Sequence, residues 1–146
     1  MNKLYFFSLL SLTYIQVFAT NPPNEALATS LGGSSVTYIS PFSVEYNPAN
    51  LTSTPSGISL NAQNRYGISQ YSKVLFIGNY TMEKSAMGLS YQIENGIISN
   101  QKIAIAFAKK INQNLASGVT INFNRFSSQN TYYQNSNILT FTAGLH

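Results

Sequence analysis

The chain contains no cysteine, and no aspartate occurs anywhere in it. Without cysteine there is no disulfide framework, and no lipoprotein thiol can follow a leader. The single histidine is His146, in the C-terminal tail. A metal cluster or a histidine-based triad therefore has almost nothing to use. Glu45, Glu83 and Glu94 fall in different connections or at their edges, so the spacing offers no paired-carboxylate site. The Gly32-Gly33 pair lacks the later glycine, the lysine and the βα context of a phosphate-binding loop, and reads as a tight turn. These absences predict a protein that is not an enzyme. They nominate no catalytic, cofactor-binding or metal-binding residue.

Charge is also scarce. Only 8% of residues are Asp, Glu, Lys or Arg, against ~25% in ordinary soluble domains. Asn, Gln, Ser and Thr supply the polarity instead. A soluble secreted protein keeps itself dispersed with charge, so this mixture suits a wall with lipid on one side and neutral polar surface on the other. The net charge of +4 does not point to nucleic acid. The basic residues are scattered and only Lys109 and Lys110 are adjacent, whereas a nucleic-acid groove needs a cluster.

What is present begins with a leader. Residues 1–19 carry Lys3, an apolar run over 4–18 and then Ala19, the pattern of a secretory signal cleaved after Ala19. No later segment reaches the ~20 apolar residues of a membrane helix. Barrel strands remain open, because their polarity alternates and escapes such a scan.

Beyond the leader, residues 21–23 form an extended linker. Residues 25–31 could make one or two helical turns, capped by Asn24 and stopped at Gly32-Gly33. Residues 34–39 read as a short strand, and 41–56 as a turn-rich stretch, since Pro41, Pro48 and Pro55 exclude a regular central strand.

Six extended segments follow, over 56–66, 70–80, 85–93, 101–109, 115–126 and 138–145. The third places Met87, Leu89, Tyr91 and Ile93 on one face and Ala86, Gly88, Ser90 and Gln92 on the other. The fourth contains several alanines and invites a helical reading. Ile103, Ile105 and Phe107 recur every second residue, however, and a helix would scatter them. Several segments reach nine residues or more, where globular strands average ~5–6 and a tilted membrane strand needs ~9–11.

The face opposite the apolar one carries Ala, Gly, Ser, Thr and Asn. These small residues either leave room for residues 24–54 to fold inward as a plug or relieve crowding in a narrow barrel. Lys102 falls on that face, and with Arg65 and Arg125 it offers either a bias toward anions or scattered solvation. Tyr66, Tyr71, Tyr80 and Tyr91 fall near strand ends, where an interfacial aromatic girdle would lie.

Three segments read together carry a family pattern. Ala28 to Val36 (ATSLGGSSV) and Glu45 to Leu51 (EYNPANL) resemble the opening of PorV/PorQ-like and FadL-like outer-membrane proteins. Asn64-Arg65-Tyr66, then Lys102 to Lys110 (KIAIAFAKK), then Ser117-Gly118-Val119 resemble the first barrel hairpins of the PorV/PorQ-like branch, common in Bacteroidetes. The resemblance implies a barrel of roughly twelve to fourteen strands with an inward N-terminal segment. It also implies a role in outer-membrane transport or type IX secretion. This sequence supplies about six strands, so the expectation is an N-terminal half, a truncated gene product, or a unit that closes by association.

The expected fold is therefore all-β: an antiparallel meander of about six long strands forming part of a transmembrane β-barrel, with a short N-terminal helical plug segment. Residues 1–19 are the signal, 20–55 the linker and plug, and 56–146 the partial barrel. If the first strand ascends from the periplasm, the turns at 82–84 and 109–114 are periplasmic, and the longer loops at 94–100 and 127–137 face outside. Gly32 and Gly33 are expected in a tight turn, and Asn47 and Pro48 in the turn entering the barrel. The expected location is the bacterial outer membrane. Expected partners are outer-membrane lipid and secretion-system proteins or a complementary barrel half, with no nucleic acid and no cofactor. The rival expectation is a soluble secreted β-sandwich, a binding or adhesion module that buries the same apolar faces between two sheets.

Overall fold

The computed structural model describes residues 37–64, 67–128 and 134–146. The signal over 1–19, the helical turns over 25–31 and the Gly32-Gly33 turn lie outside the described residues.

Alternating polarity produces the expected all-β meander. Six antiparallel strands form one sheet in the order β1-β2-β3-β4-β5-β6. They are β1 (Gly57–Asn64), β2 (Ser72–Thr81), β3 (Ser85–Glu94), β4 (Ile98–Lys110), β5 (Ala116–Ser128) and β6 (Ser136–Leu145). β4 is a strand throughout, as the two-residue recurrence of Ile103, Ile105 and Phe107 requires.

Two connections are shorter than the sequence suggests. The β3–β4 link is only 95–97, because Ile98, Ser99 and Asn100 pair with Ser128, Ser127 and Phe126. The β5–β6 link spans 129–135, since Ser128 and Ser136 already belong to strands. Polar residues at these ends do not stop pairing, because the ladder uses backbone groups that every residue carries.

The stretch before β1 is helical. A single turn (Ser43–Tyr46) leads into a 3-10 helix (Pro48–Ser53). Pro48 occupies the start of the second piece, where its missing N–H costs nothing. The strand expected over 34–39 is absent from its described part, 37–39. The carbonyl of Tyr38 instead accepts from Ser43 Oγ at 3.2 Å and from Asn50 Nδ2 at 3.1 Å.

These helical turns lie on the small-residue face of the sheet, and the core sits between them. Phe42, Val44 and Leu51 meet Leu75, Ile77, Ala86, Ala104, Ala106 and Ala108 there. Val44, Leu51 and Ile77 are fully buried. Burial of each such side chain is worth about 1.5–3 kcal/mol relative to exposure. The other face is left open, and it carries the larger apolar side chains.

Candidate functional site

The covered face is shaped for close approach. A Cβ on Gly118 would stand 2.6 Å from both the Pro48 carbonyl carbon and the Ala49 nitrogen. One on Gly88 would stand 2.5 Å from Val44 Cγ2 and 3.2 Å from Leu51 Cδ1. Small residues therefore let backbone lie on backbone. Of the two readings of this face, the one with the chain's own N-terminal portion laid against it is what the described residues contain.

Polar side chains fix the segment in place. Thr120 Oγ1 donates to the Val44 carbonyl at 3.0 Å. Thr81 Oγ1 faces two carbonyls, Leu51 at 3.1 Å and Thr54 at 2.7 Å. Asn79 Nδ2 donates to the Pro55 carbonyl at 2.8 Å. These side chains of the sheet thus engage carbonyls of the helical turns and of the Thr54-Pro55 stretch that follows them.

Asn47 and Pro48 do not form the turn that enters β1, as the sequence suggested. They join the two helical pieces. Asn47 Oδ1 accepts from the Ala49 N–H at 3.2 Å and caps the 3-10 helix, while its Nδ2 donates to the Leu145 carbonyl at 3.0 Å. One side chain thus caps the segment and ties it to the last strand.

The charged element of the site is a group of three. Glu45 Oε2 pairs with Lys102 Nζ, and Glu45 Oε1 accepts from Ser90 Oγ. The Glu45 side chain is 3% exposed and that of Lys102 16%. Glu45 comes from the helical turn, Ser90 from β3 and Lys102 from β4. Both carboxylate oxygens are thus engaged by the wall. Lys102 is not the lone basic charge that an anion-biasing role would require, because Glu45 neutralises it. Arg125 is exposed on the open face, opposite Gln101 and Asn137.

Sequence reasoning did not join these three residues. One signal was available: Lys102 falls on the small-residue face of β4, and Glu45 is the acid in the segment laid over it.

The open face is a second surface of interest. Its central rows hold Leu60, Phe76, Leu89, Ile105, Ile121 and Phe141, all exposed; Leu60 is 71% exposed and Phe141 67%. Between β1 and β6 these rows contain no charged side chain. They are bounded at one end by Gln101, Arg125 and Asn137 on β4–β6, and at the other by Ser85, Lys109 and Ser117 on β3–β5. Gln101 and Lys109 are about 27 Å apart along β4 at ~3.4 Å per residue. A strand tilt of ~40° reduces that to about 20 Å of height. Tyr80 and Tyr91 lie on this face toward opposite ends, whereas Tyr71 belongs to the 3-10 turn Ser69–Tyr71.

Among the described residues, no group of three or more His, Cys, Asp or Glu is placed to hold a metal ion, and no helix is long and apolar enough to cross a membrane. The chain matches no protein-family model, no curated protein and no solved structure.

Proposed function

We propose that this sheet is wall from a bacterial outer-membrane β-barrel of PorV/PorQ-like type, with residues 38–54 as its plug. The observation that carries this reading is the charge-free apolar band crossing all six strands, bounded by Gln101, Arg125 and Asn137 on β4–β6 at one end and by Ser85, Lys109 and Ser117 on β3–β5 at the other. Contiguous exposed apolar area on this scale marks a surface with a partner. A lipid bilayer accepts a band of about this height, as outer-membrane barrels present ~25 Å of apolar surface between polar margins.

The direction of the plug supports lipid over a second sheet. A β-sandwich buries its apolar face between layers. Here the chain's own cover lies on the opposite, small-residue face, and the large apolar side chains remain open. The leader-like opening supports export to the same destination. The work proposed is secretion-linked scaffolding or passage of solutes, without covalent chemistry. The many ties holding the plug favour scaffolding, since free passage along the covered face would first require them to break.

The test is extraction of the membrane fraction followed by electrophoresis of unheated and heated samples. The expected result is a detergent-dependent protein whose unheated band migrates differently from the boiled one. Recovery in the soluble periplasm without detergent, with identical bands, would overturn the reading.

A further inference from the structure

The open face is not level. Gly78 lies in β2 between Ile58 of β1 and Leu89 of β3, and it carries no side chain where its row is otherwise built of large apolar residues. A Cβ on it would meet nothing within 4 Å. The result is a shallow dent of about 400 Å³, walled by Ile58, Tyr80, Met87, Leu89 and Phe107. A second dent, of about 510 Å³, lies beyond Met87 and Phe107, which border both. It runs from these two side chains to Ser85, Lys109 and Ser117. The row is low there because a serine stands on each side of the lysine, on β3 and on β5.

The furrow made by the two dents therefore ends at charge. Lys109 is exposed on the open face. Lys84 and Lys110 adjoin it at the rim, where the Lys110 N–H donates to the Lys84 carbonyl at 2.9 Å. Glu83 is the one acid in the stretches 82–85 and 109–117, so three cations stand there against one anion. An apolar furrow with a cationic end complements an amphiphile with an anionic head. From Ser85 to Leu89 is about 14 Å along the strand, and an acyl chain fills half of a ~30 Å hydrocarbon core. A chain whose head is held at Lys109 thus reaches the dent at Gly78.

We propose that this furrow binds one anionic glycerophospholipid. Its phosphate sits on Lys109 with Lys84 and Lys110 beside it, and an acyl chain lies past Met87 and Phe107 in the hollow at Gly78. The proposal rests on the open face being lipid-facing. The links at the lysine end span 82–84 and 111–115, whereas two of the three at the other end, 65–71 and 129–135, are longer. Outer-membrane barrels carry their short turns on the periplasmic side. That turns Lys109 toward the leaflet built of glycerophospholipids and away from the sugar-headed lipids of the outer surface. Lysine suits the margin, because its stem lies along apolar surface while the ammonium stays at the headgroups.

The full chain, extracted in detergent, is titrated with phosphatidylglycerol or with phosphatidylcholine of the same acyl chains, and lipid-bound protein is read by native mass spectrometry. Wild type is expected to hold phosphatidylglycerol about fivefold more tightly, the order of effect of one basic residue near an anionic lipid. Lys109→Gln should bring the two lipids together, and Lys109→Arg should keep them apart. Gly78→Leu fills the hollow with an outward-facing side chain. It should weaken both lipids about fivefold through lost apolar contact, while the heat-dependent band shift persists. Excess inorganic phosphate should displace neither lipid. In a heat-shifting, detergent-dependent protein, three results each overturn this proposal alone: equal binding of the two lipids by wild type, binding unchanged by Lys109→Gln and Gly78→Leu, or displacement by inorganic phosphate. A protein that is soluble without detergent and gives identical bands overturns both this proposal and the lipid reading beneath it.

Discussion

Glu45 and Lys102 are 57 residues apart in the chain and form an ion pair between plug and wall, with Ser90 donating to the second carboxylate oxygen. Breaking one partner of such a buried pair strands the other charge, at about 3–5 kcal/mol. Lys102→Met and Glu45→Gln should each destabilise by that amount. The double variant should lie closer to wild type than either single change, because no charge is then left alone. Urea unfolding of lipid-reconstituted protein measures this, and strictly additive losses would argue against a direct pair.

Two glycines on opposite faces of the sheet, Gly118 in β5 and Gly78 in β2, should behave in opposite ways. Gly118→Ala places a methyl 2.6 Å from plug backbone, which cannot yield as a side-chain tip can. The expected cost is about 1–3 kcal/mol. Gly78→Ala meets nothing within 4 Å and should stay within about 0.5 kcal/mol of wild type. Denaturant midpoints of the two variants, compared side by side, check the contrast.

Ile105→Lys separates lipid from water as the neighbour of the open face. Ile105 is 44% exposed, so in water the change should be nearly neutral. At the mid-depth of a bilayer a lysine costs about 2–4 kcal/mol. The fraction folded in vesicles, read from the unheated gel band, should fall accordingly.

Asn47→Ala removes a cap and the tie to Leu145 together. Loss of a capping side chain costs about 0.5–2 kcal/mol. Asn47→Asp keeps the acceptor for the Ala49 N–H but loses the donor to the Leu145 carbonyl, so it should fall between. Limited proteolysis of the plug gives the ranking, and equal cleavage of Asp and Ala variants would mean that only the Leu145 tie matters.

Much of the wall was legible in the sequence because a strand's period of two is written locally. Ile103, Ile105 and Phe107 suffice to reject a helix, and the face of each strand follows from its own residues. The helical turns were less legible. Pro48 was read as a strand breaker, although the same ring suits the first position of a helix, and Asn47 before it is a natural cap. The contacts of the covered face were least legible. Whether Glu45 meets Lys102 depends on where the segment docks, which no window of neighbouring residues encodes. The strands run on to Ile98 and Ser128 through Asn100, Ser99 and Ser127, because the backbone ladder is indifferent to side-chain polarity.

The hydrogen bond from Asn47 to Leu145 spans 98 residues and has a consequence for the order of assembly. Hairpins such as β3–β4 join near neighbours and close quickly, whereas contacts across most of the chain must wait for loop-closure entropy to be overcome. The acceptor for Asn47 exists only once β6 is laid on β5. The Asn47 tie is thus made late although Asn47 is synthesised early, and until β6 is in place that end of the segment remains accessible to chaperones and proteases.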